Sequence, residues 1–195
     1  LADVRGLRAA LSGVEGIYHL ASGEAEGGRA NLQAVDIDGT RNLLEAAQQS
    51  SVRRVFYLSH LDADRASAFP VHKAKGIAEE HIRRAGLPYT ILRGSILFGP
   101  GDTFTSGLAM LLALSPGLIP LPGKGETLVQ PLWVEDLATC LVWALENPET
   151  VDRIIEVGGI EMMTLREVVE TIMSVTHQRR LVIRSGNPWL RLLTA

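Results

Sequence analysis

Short apolar runs alternate with amphipathic stretches along most of the chain. Asp3 can cap a first helix whose inner face carries Leu7, Ala10, Leu11 and Val14, with Gly13 and Gly16 ending it. Residues 16–22 read as a short buried strand running into a loop, and the acidic, glycine-rich residues 23–28 as a flexible excursion. A long helical pattern follows over residues 29–49, with Leu32, Val35, Gly39, Leu43 and Ala47 spaced by three or four. Residues 53–59 form the next strand, since Val55-Phe56-Tyr57-Leu58 is β-branched and aromatic and too short for a helix. After a loop over residues 60–70, a helix through Lys75 buries Ala74, Ile77, Ala78, Ile82 and Ala85. Gly86 supplies its left-handed stop and Pro88 bars continuation. Residues 89–93 are another buried strand.

The character changes after Gly99-Pro100-Gly101-Asp102. A helix near residues 103–114 precedes a proline- and glycine-rich segment through residue 125, and residues 127–131 read as a short strand. A helix over residues 134–146 stops at Asn147-Pro148, and residues 153–157 read as a strand ending in Gly158-Gly159. Thr164-Leu165-Arg166-Glu167 is a capping box, with Met163 and Val168 placed as a hydrophobic staple. Its helix reaches about residue 175, and residues 181–183 form a last strand. The pattern predicts an α/β fold: a Rossmann-like parallel sheet of βαβ units with helices on both faces, plus a small C-terminal α/β lobe. The expected division is residues 1–102 and residues 103–195, the second part returning in places to the first.

Composition narrows the picture by exclusion. The chain has 195 residues, 46% hydrophobic and 21% charged, enough for one sizeable core. A net charge of −3, with no basic patch and with Trp133, Trp143 and Trp189 not interleaved with basic residues, gives no nucleic-acid surface. The tryptophans read as core or interface. No apolar run reaches the ~20 residues of a membrane span, and no signal peptide is visible. The single cysteine, Cys140, cannot form an internal disulfide, so a reducing compartment, the cytoplasm, is expected; its side chain reads as a small buried hydrophobe. The five histidines show no metal-ligand spacing, so no metal is expected.

Several segments, in order and sensibly spaced, carry a resemblance. They are Gly16-Ile17-Tyr18-His19-Leu20-Ala21; Val35-Asp36-Ile37-Asp38-Gly39-Thr40-Arg41-Asn42-Leu43-Leu44-Glu45-Ala46-Ala47; the Lys75 helix; Gly86-Leu87-Pro88-Tyr89-Thr90-Ile91-Leu92-Arg93 with Phe98-Gly99-Pro100-Gly101-Asp102; and Gln130-Pro131-Leu132-Trp133-Val134-Glu135-Asp136-Leu137-Ala138. Together they resemble the extended or atypical short-chain dehydrogenases/reductases, the NAD(P)-binding group that includes nucleotide-sugar epimerases, NmrA-type proteins and the dehydrogenase-like accessory subunit of respiratory complex I. The resemblance implies NAD or NADP as cofactor and a small carbonyl or nucleotide-sugar-like substrate, and is compatible with a homo-oligomer.

Two departures qualify it. The family's catalytic helix carries Tyr-x-x-x-Lys; Lys75 is present, but Val71 stands where the tyrosine belongs. The family also opens with a glycine-rich turn whose amides cradle the pyrophosphate, and nothing here matches it. On the resemblance, on the order of 60 residues are expected upstream, at ~30 per βαβ unit, and without them dinucleotide binding is expected to be poor.

The resemblance implies that Lys75 contacts the nicotinamide ribose; the plainer reading is a solvated lysine paired with Glu79. His72 is the nearest titratable replacement for the tyrosine, but lies about 100° round the helix and otherwise reads as a surface histidine. Asp36 stands where the family has asparagine: it either pairs with Lys75 or is a surface carboxylate. The family's carbonyl-polarising hydroxyl falls near Leu61, so Ser59 supports the turn or touches the ribose, and His60 either reaches the pocket or is a solvated loop histidine. Ala21 and Ser22, and Gly94, Ser95 and Ile96, follow strand ends and are expected along the cofactor, because ligands bind outside the carboxyl ends of parallel strands. Arg93 is expected in a structural ion pair and Asp136 in a structural role. Two functions follow: an oxidoreductase or epimerase, or a non-catalytic NAD(P)H-binding sensor, regulator or assembly subunit.

Overall fold

The computed structural model describes residues 1–185; Trp189 lies outside them. In chain order the elements are α1 (Val4–Ala10), β1 (Gly16–His19), α2 (Gly39–Ala47), β2 (Arg54–His60), α3 (Pro70–Arg84), β3 (Tyr89–Gly94), β4 (Leu97–Phe98), α4 (Phe104–Leu114), β5 (Leu118–Pro122), β6 (Leu128–Val129), β7 (Leu132–Trp133), α5 (Val134–Glu146), β8 (Arg153–Val157), β9 (Met163–Thr164), α6 (Leu165–Val175) and β10 (Leu181–Ser185). They divide into two compact units: residues 1–94 with 138–157, and, among the described residues, 95–137 with 158–185. The fold is α/β and Rossmann-like.

The first unit holds a four-stranded sheet in the order β1-β2-β3-β8, every neighbour parallel. Strand alternation sends Val55, Tyr57 and Ile91 to one face, where they pack with Leu11, with Leu43, Leu44, Ala46 and Ala47 of α2, and with Ala78 and Ile82 of α3. Each such large side chain, once buried, contributes about 1.5–3 kcal/mol. Phe56 and Leu92 point the other way and are equally buried. On that face the Tyr18 ring stacks on Phe56 at 4.7 Å, and its hydroxyl donates to the Leu141 carbonyl of α5. Asp3 caps α1 as expected, accepting from the Arg5 and Gly6 amides. Gly86, at φ +69°, terminates the turn after α3 in the left-handed region that glycine tolerates.

Two local expectations are corrected in this unit. Residues 23–28 are not a loose excursion: Glu24–Arg29 forms a 3-10 turn, and the Gly23 amide is fixed by a buried hydrogen bond to Asp36. The helix expected from residue 29 begins with a π-helical segment, Gln33–Asp38, before α2 takes regular α geometry.

The second unit packs Leu112, Ile119, Leu121 and Val169 into its own core, with Leu108, Leu165, Ile172, Met173 and Val182 around them. Parallel pairs β5–β10 and β4–β7 and an antiparallel pair β6–β9 frame it. The proline- and glycine-rich stretch contains β5, which the pattern did not predict. Its Ile119 and Leu121 alternate inward while Pro120 faces outward, and among the described residues β5 pairs only with β10, the edge position where proline is tolerated. The capping box forms: Thr164 accepts from the Glu167 amide and Glu167 accepts from the Thr164 amide.

Candidate functional site

β1 and β2 run parallel, so their carboxyl ends, at His19 and His60, lie on the same edge of the sheet. Helix α3 passes beside that edge. Its Lys75 is 4% exposed, which removes the solvated-lysine reading. The Nζ sits 3.3 Å from Asp36 Oδ1, donates to the Leu58 carbonyl at 3.4 Å, and lies 5.3 Å from the Tyr57 ring centroid. Asp36, from the π-helical segment, is 1% exposed, so the surface-carboxylate reading of this residue also fails. The structure brings Lys75 and Asp36 together across two helical segments.

Asp36 has two further attachments. Its Oδ2 accepts from the Gly23 amide at 2.9 Å, tying the loop after β1 to the lysine. Its backbone carbonyl accepts the Thr40 hydroxyl at 2.5 Å. That hydroxyl proton being spent, Thr40 Oγ1 can only accept from His19 Nε2, 2.8 Å away, so His19 carries its proton on Nε2. Burial first, and then the Lys75 charge, lower the His19 pKa to about 4 against the opposing pull of Asp36. His19 is therefore a neutral imidazole in this buried network near pH 7. Sequence reading missed His19, Thr40, Tyr57 and Glu24; a histidine ending an apolar strand was the available signal.

The network is incompletely satisfied. Among the described residues, Asp36 Oδ1 and the Tyr57 hydroxyl are buried without a hydrogen-bond partner. Lys75 has three N–H donors and, among the described residues, donates one hydrogen bond, to the Leu58 carbonyl, its 3.3 Å contact with Asp36 Oδ1 being an ion pair. A lysine with donors to spare, beside an oxygen that is ion-paired but accepts no hydrogen bond, at the carboxyl edge of a parallel sheet, fits a group that brings hydroxyls, as a ribose does.

One turn along α3 the arrangement is different. Glu79 does not pair with Lys75. Its Oε1 accepts from Ser59 Oγ at 2.6 Å and Arg93 Nε at 2.9 Å, and its Oε2 accepts from the Arg93 terminal nitrogen at 2.7 Å. Ser59 is 2% exposed and its hydroxyl donates to Glu79, which places it in the turn-supporting role of the two expected of it. Arg93 is in the structural pair expected of it. Gly76, between these two residues, is where the loop after β2 crosses α3. A Cβ there would lie 2.4 Å from the Arg65 amide nitrogen, so only glycine admits the crossing.

Nearer solvent, His60 Nε2 is 2.8 Å from Glu24 Oε2, and the His60 and His72 rings lie 5.9 Å apart, with Phe69 against His72. The His60 hydrogen bond holds the Glu24 carboxyl below its usual value, against burial. β2 extends to His60, one residue beyond the expected strand, which puts that residue at the edge rather than in a free loop. Val71, four residues before Lys75, is half-buried and apolar. Ala21 is exposed, and the Ser22 hydroxyl accepts from the Glu24 amide. Gly94 ends β3, its carbonyl accepting from Leu61. Ser95 and Ile96 open the second unit, where the Ile96 carbonyl accepts from Leu132. No group of three or more His, Cys, Asp or Glu side chains suited to a metal occurs among the described residues.

Comparison with known proteins supplies the family. The subunit 9 of the NADH dehydrogenase [ubiquinone] 1 alpha subcomplex from Rattus norvegicus is 26% identical over 180 residues, 90% of this chain and 46% of that protein. A ceramide reductase from Caulobacter vibrioides is 32% identical over 148 residues, 76% of this chain and 46% of that protein. The chain thus spans about half the length of these curated relatives. Among solved structures, MoeE5 in complex with UDP-glucuronic acid and NAD superposes with a TM-score of 0.79 at 21% identity, covering 95% of this chain and 71% of that one. A dTDP-glucose 4,6-dehydratase from Streptomyces venezuelae with NAD bound gives 0.78 at 20% identity, covering 94% and 65%. Residues 65–158 match the NAD dependent epimerase/dehydratase family. Residues 1–106, which contain the whole Lys75–Asp36 network, match the NAD(P)H-binding family, and the chain belongs to it as an atypical short-chain dehydrogenase/reductase.

Proposed function

We propose that the protein holds NAD(P) at the carboxyl edge of its four-stranded sheet without turning it over, serving as a sensor, regulator or assembly subunit. The observation that carries this reading is the buried Lys75–Asp36 pair with an apolar Val71 one turn before it. Lys75 retains the donor that a ribose hydroxyl needs. Val71 has no proton to give or take, so general acid–base help at that position is absent. Asp36 and the Leu58 carbonyl orient the ammonium, and the Gly23–Asp36 bond holds the loop after β1 against the same site. When bound, the nicotinamide would supply hydride chemistry; the chain's own residues here bind and orient. The relative named as an NADH dehydrogenase subunit is compatible with such a role.

A second reading, an oxidoreductase or epimerase on a small carbonyl or nucleotide-sugar-like substrate, is favoured by one observation. The Glu24–His60–His72 cluster is a set of protonatable groups beside α3. The ceramide reductase relative and the nucleotide-sugar ligands of the structural neighbours lend it family-level support.

The full-length protein, titrated with NADH and NADPH under fluorescence, tests the first reading. Saturable binding that Lys75→Met weakens, with no hydride transfer to a carbonyl panel, supports it. Steady turnover would overturn it in favour of the second.

A further inference from the structure

We infer that Asp36 sets which oxidation state of the dinucleotide the site prefers, by cancelling the charge of Lys75. This rests on the reading of Lys75 as the nicotinamide-ribose contact. The oxidised nicotinamide ring carries a formal positive charge and the reduced ring is neutral; the two molecules are otherwise nearly the same size and shape. A lone buried ammonium beside the ring repels only the oxidised form. Asp36 places a counter-charge 3.3 Å from that ammonium, with the carboxylate side chain 0% and the lysine side chain 5% exposed. Water therefore does little to screen either one. The facing oxygen, Oδ1, accepts no hydrogen bond among the described residues, while Oδ2 is fixed by the Gly23 amide. The pair is thus held as a net-neutral unit.

Other charged groups nearby do not blur the comparison. Glu79 is neutralised by Arg93 within its own bidentate pair. Glu24 is paired with His60. Neither pair includes Asp36, so both are the same before and after a change at that position. Asp36→Asn keeps the shape and an acceptor for Gly23, and leaves the site with one net positive charge. At an effective dielectric constant of ~20, one unbalanced charge in the site biases binding against the oxidised form on the order of tenfold.

The test measures dissociation constants for NAD⁺ and NADH, and for the phosphorylated pair, by calorimetry at one pH and ionic strength. The full-length protein is compared with Asp36→Asn, Lys75→Met and the double variant. The expected result is an oxidised-to-reduced affinity ratio that falls about tenfold in Asp36→Asn, rises in Lys75→Met, and returns near the parent value in the double variant, where the charge is again balanced. Should Asp36→Asn fail to fold, Asp36→Ser, which also removes the carboxylate charge, takes its place, and an unchanged ratio in that variant overturns the inference. Both forms binding with an unchanged ratio in the variants would overturn the inference and leave the binding reading intact. Neither form binding to the parent protein would overturn both.

Discussion

Lys75 and Glu79 stand one turn apart on α3, and each makes a buried ion pair, yet the two pairs are finished differently. Glu79 receives three donors at 2.6–2.9 Å, two of them from the planar fork of Arg93. Lys75 meets Asp36 at 3.3 Å and a carbonyl at 3.4 Å, and Asp36 keeps an oxygen with no hydrogen bond. A buried polar group left unsatisfied costs about 1–3 kcal/mol. The completed pair is built for holding the fold together, and the incomplete one is where the proposed binding site lies. The strongest break of this contrast would be Glu79→Ala. It leaves Arg93 and Ser59 without their acceptor, and we expect a loss of about 3–5 kcal/mol, read by urea denaturation. A loss below about 1 kcal/mol would erase the distinction between the two pairs.

The next effect tests the incomplete pair through His19, whose burial and proximity to Lys75 lower its pKa from 6.5 to about 4. Between those values the unfolded chain binds the proton and the folded chain does not. Stability must therefore fall as pH drops from about 6.5 to about 4, by about 3 kcal/mol in total. His19→Gln, which keeps a donor for Thr40 but cannot titrate, should flatten that slope. An unchanged slope would mean that the histidine is not held neutral by this network.

How much of this was legible depends on how local each signal is. The Lys75 helix and its stop at Gly86, the Asp3 cap and the Thr164–Glu167 box all lie within a few residues of their partners. Spacing alone revealed them. Glu79 looked like an i+4 partner for Lys75, but its partners are Ser59 and Arg93, on two different strands. Only the register of β2 with β3 brings those together, pairing Ser59 with Arg93 directly. Asp36 was open between two roles because its orientation depends on the π-helical turn, which no propensity scale anticipates. β5 stayed hidden because its partner β10 comes far later in the chain, and its prolines read as loop.

Lys75→Met probes the same contrast from the incomplete pair. The Lys75 ammonium reaches its two oxygens at 3.3 and 3.4 Å, farther than any donor stands from Glu79. Asp36 is left buried without its counter-charge, so the stability cost should approach that of Glu79→Ala, on the order of 3 kcal/mol. Dinucleotide affinity should fall about tenfold or more, equivalent to about 1.4 kcal/mol. Parallel denaturation and binding curves separate the two. A destabilised variant with affinity unchanged would recast Lys75 as a structural residue.

The smallest change in stability is expected from Val71→Tyr, yet it sharpens the comparison most. Val71 is half-buried on the first turn of α3. A tyrosine there keeps an apolar body against the helix and carries its hydroxyl outward, so stability should move by no more than about 0.5 kcal/mol. Tyrosine at i−4 would face Lys75 along one side of the helix. If the incomplete pair is a binding site lacking only a proton donor, the variant should gain hydride transfer to a carbonyl substrate that the parent lacks. With dinucleotide binding intact and no turnover gained, the deficiency would lie beyond Val71. The nearest candidate is then Asp36 itself, which holds the ammonium toward its own carboxylate, and adding Asp36→Asn to Val71→Tyr would decide between them.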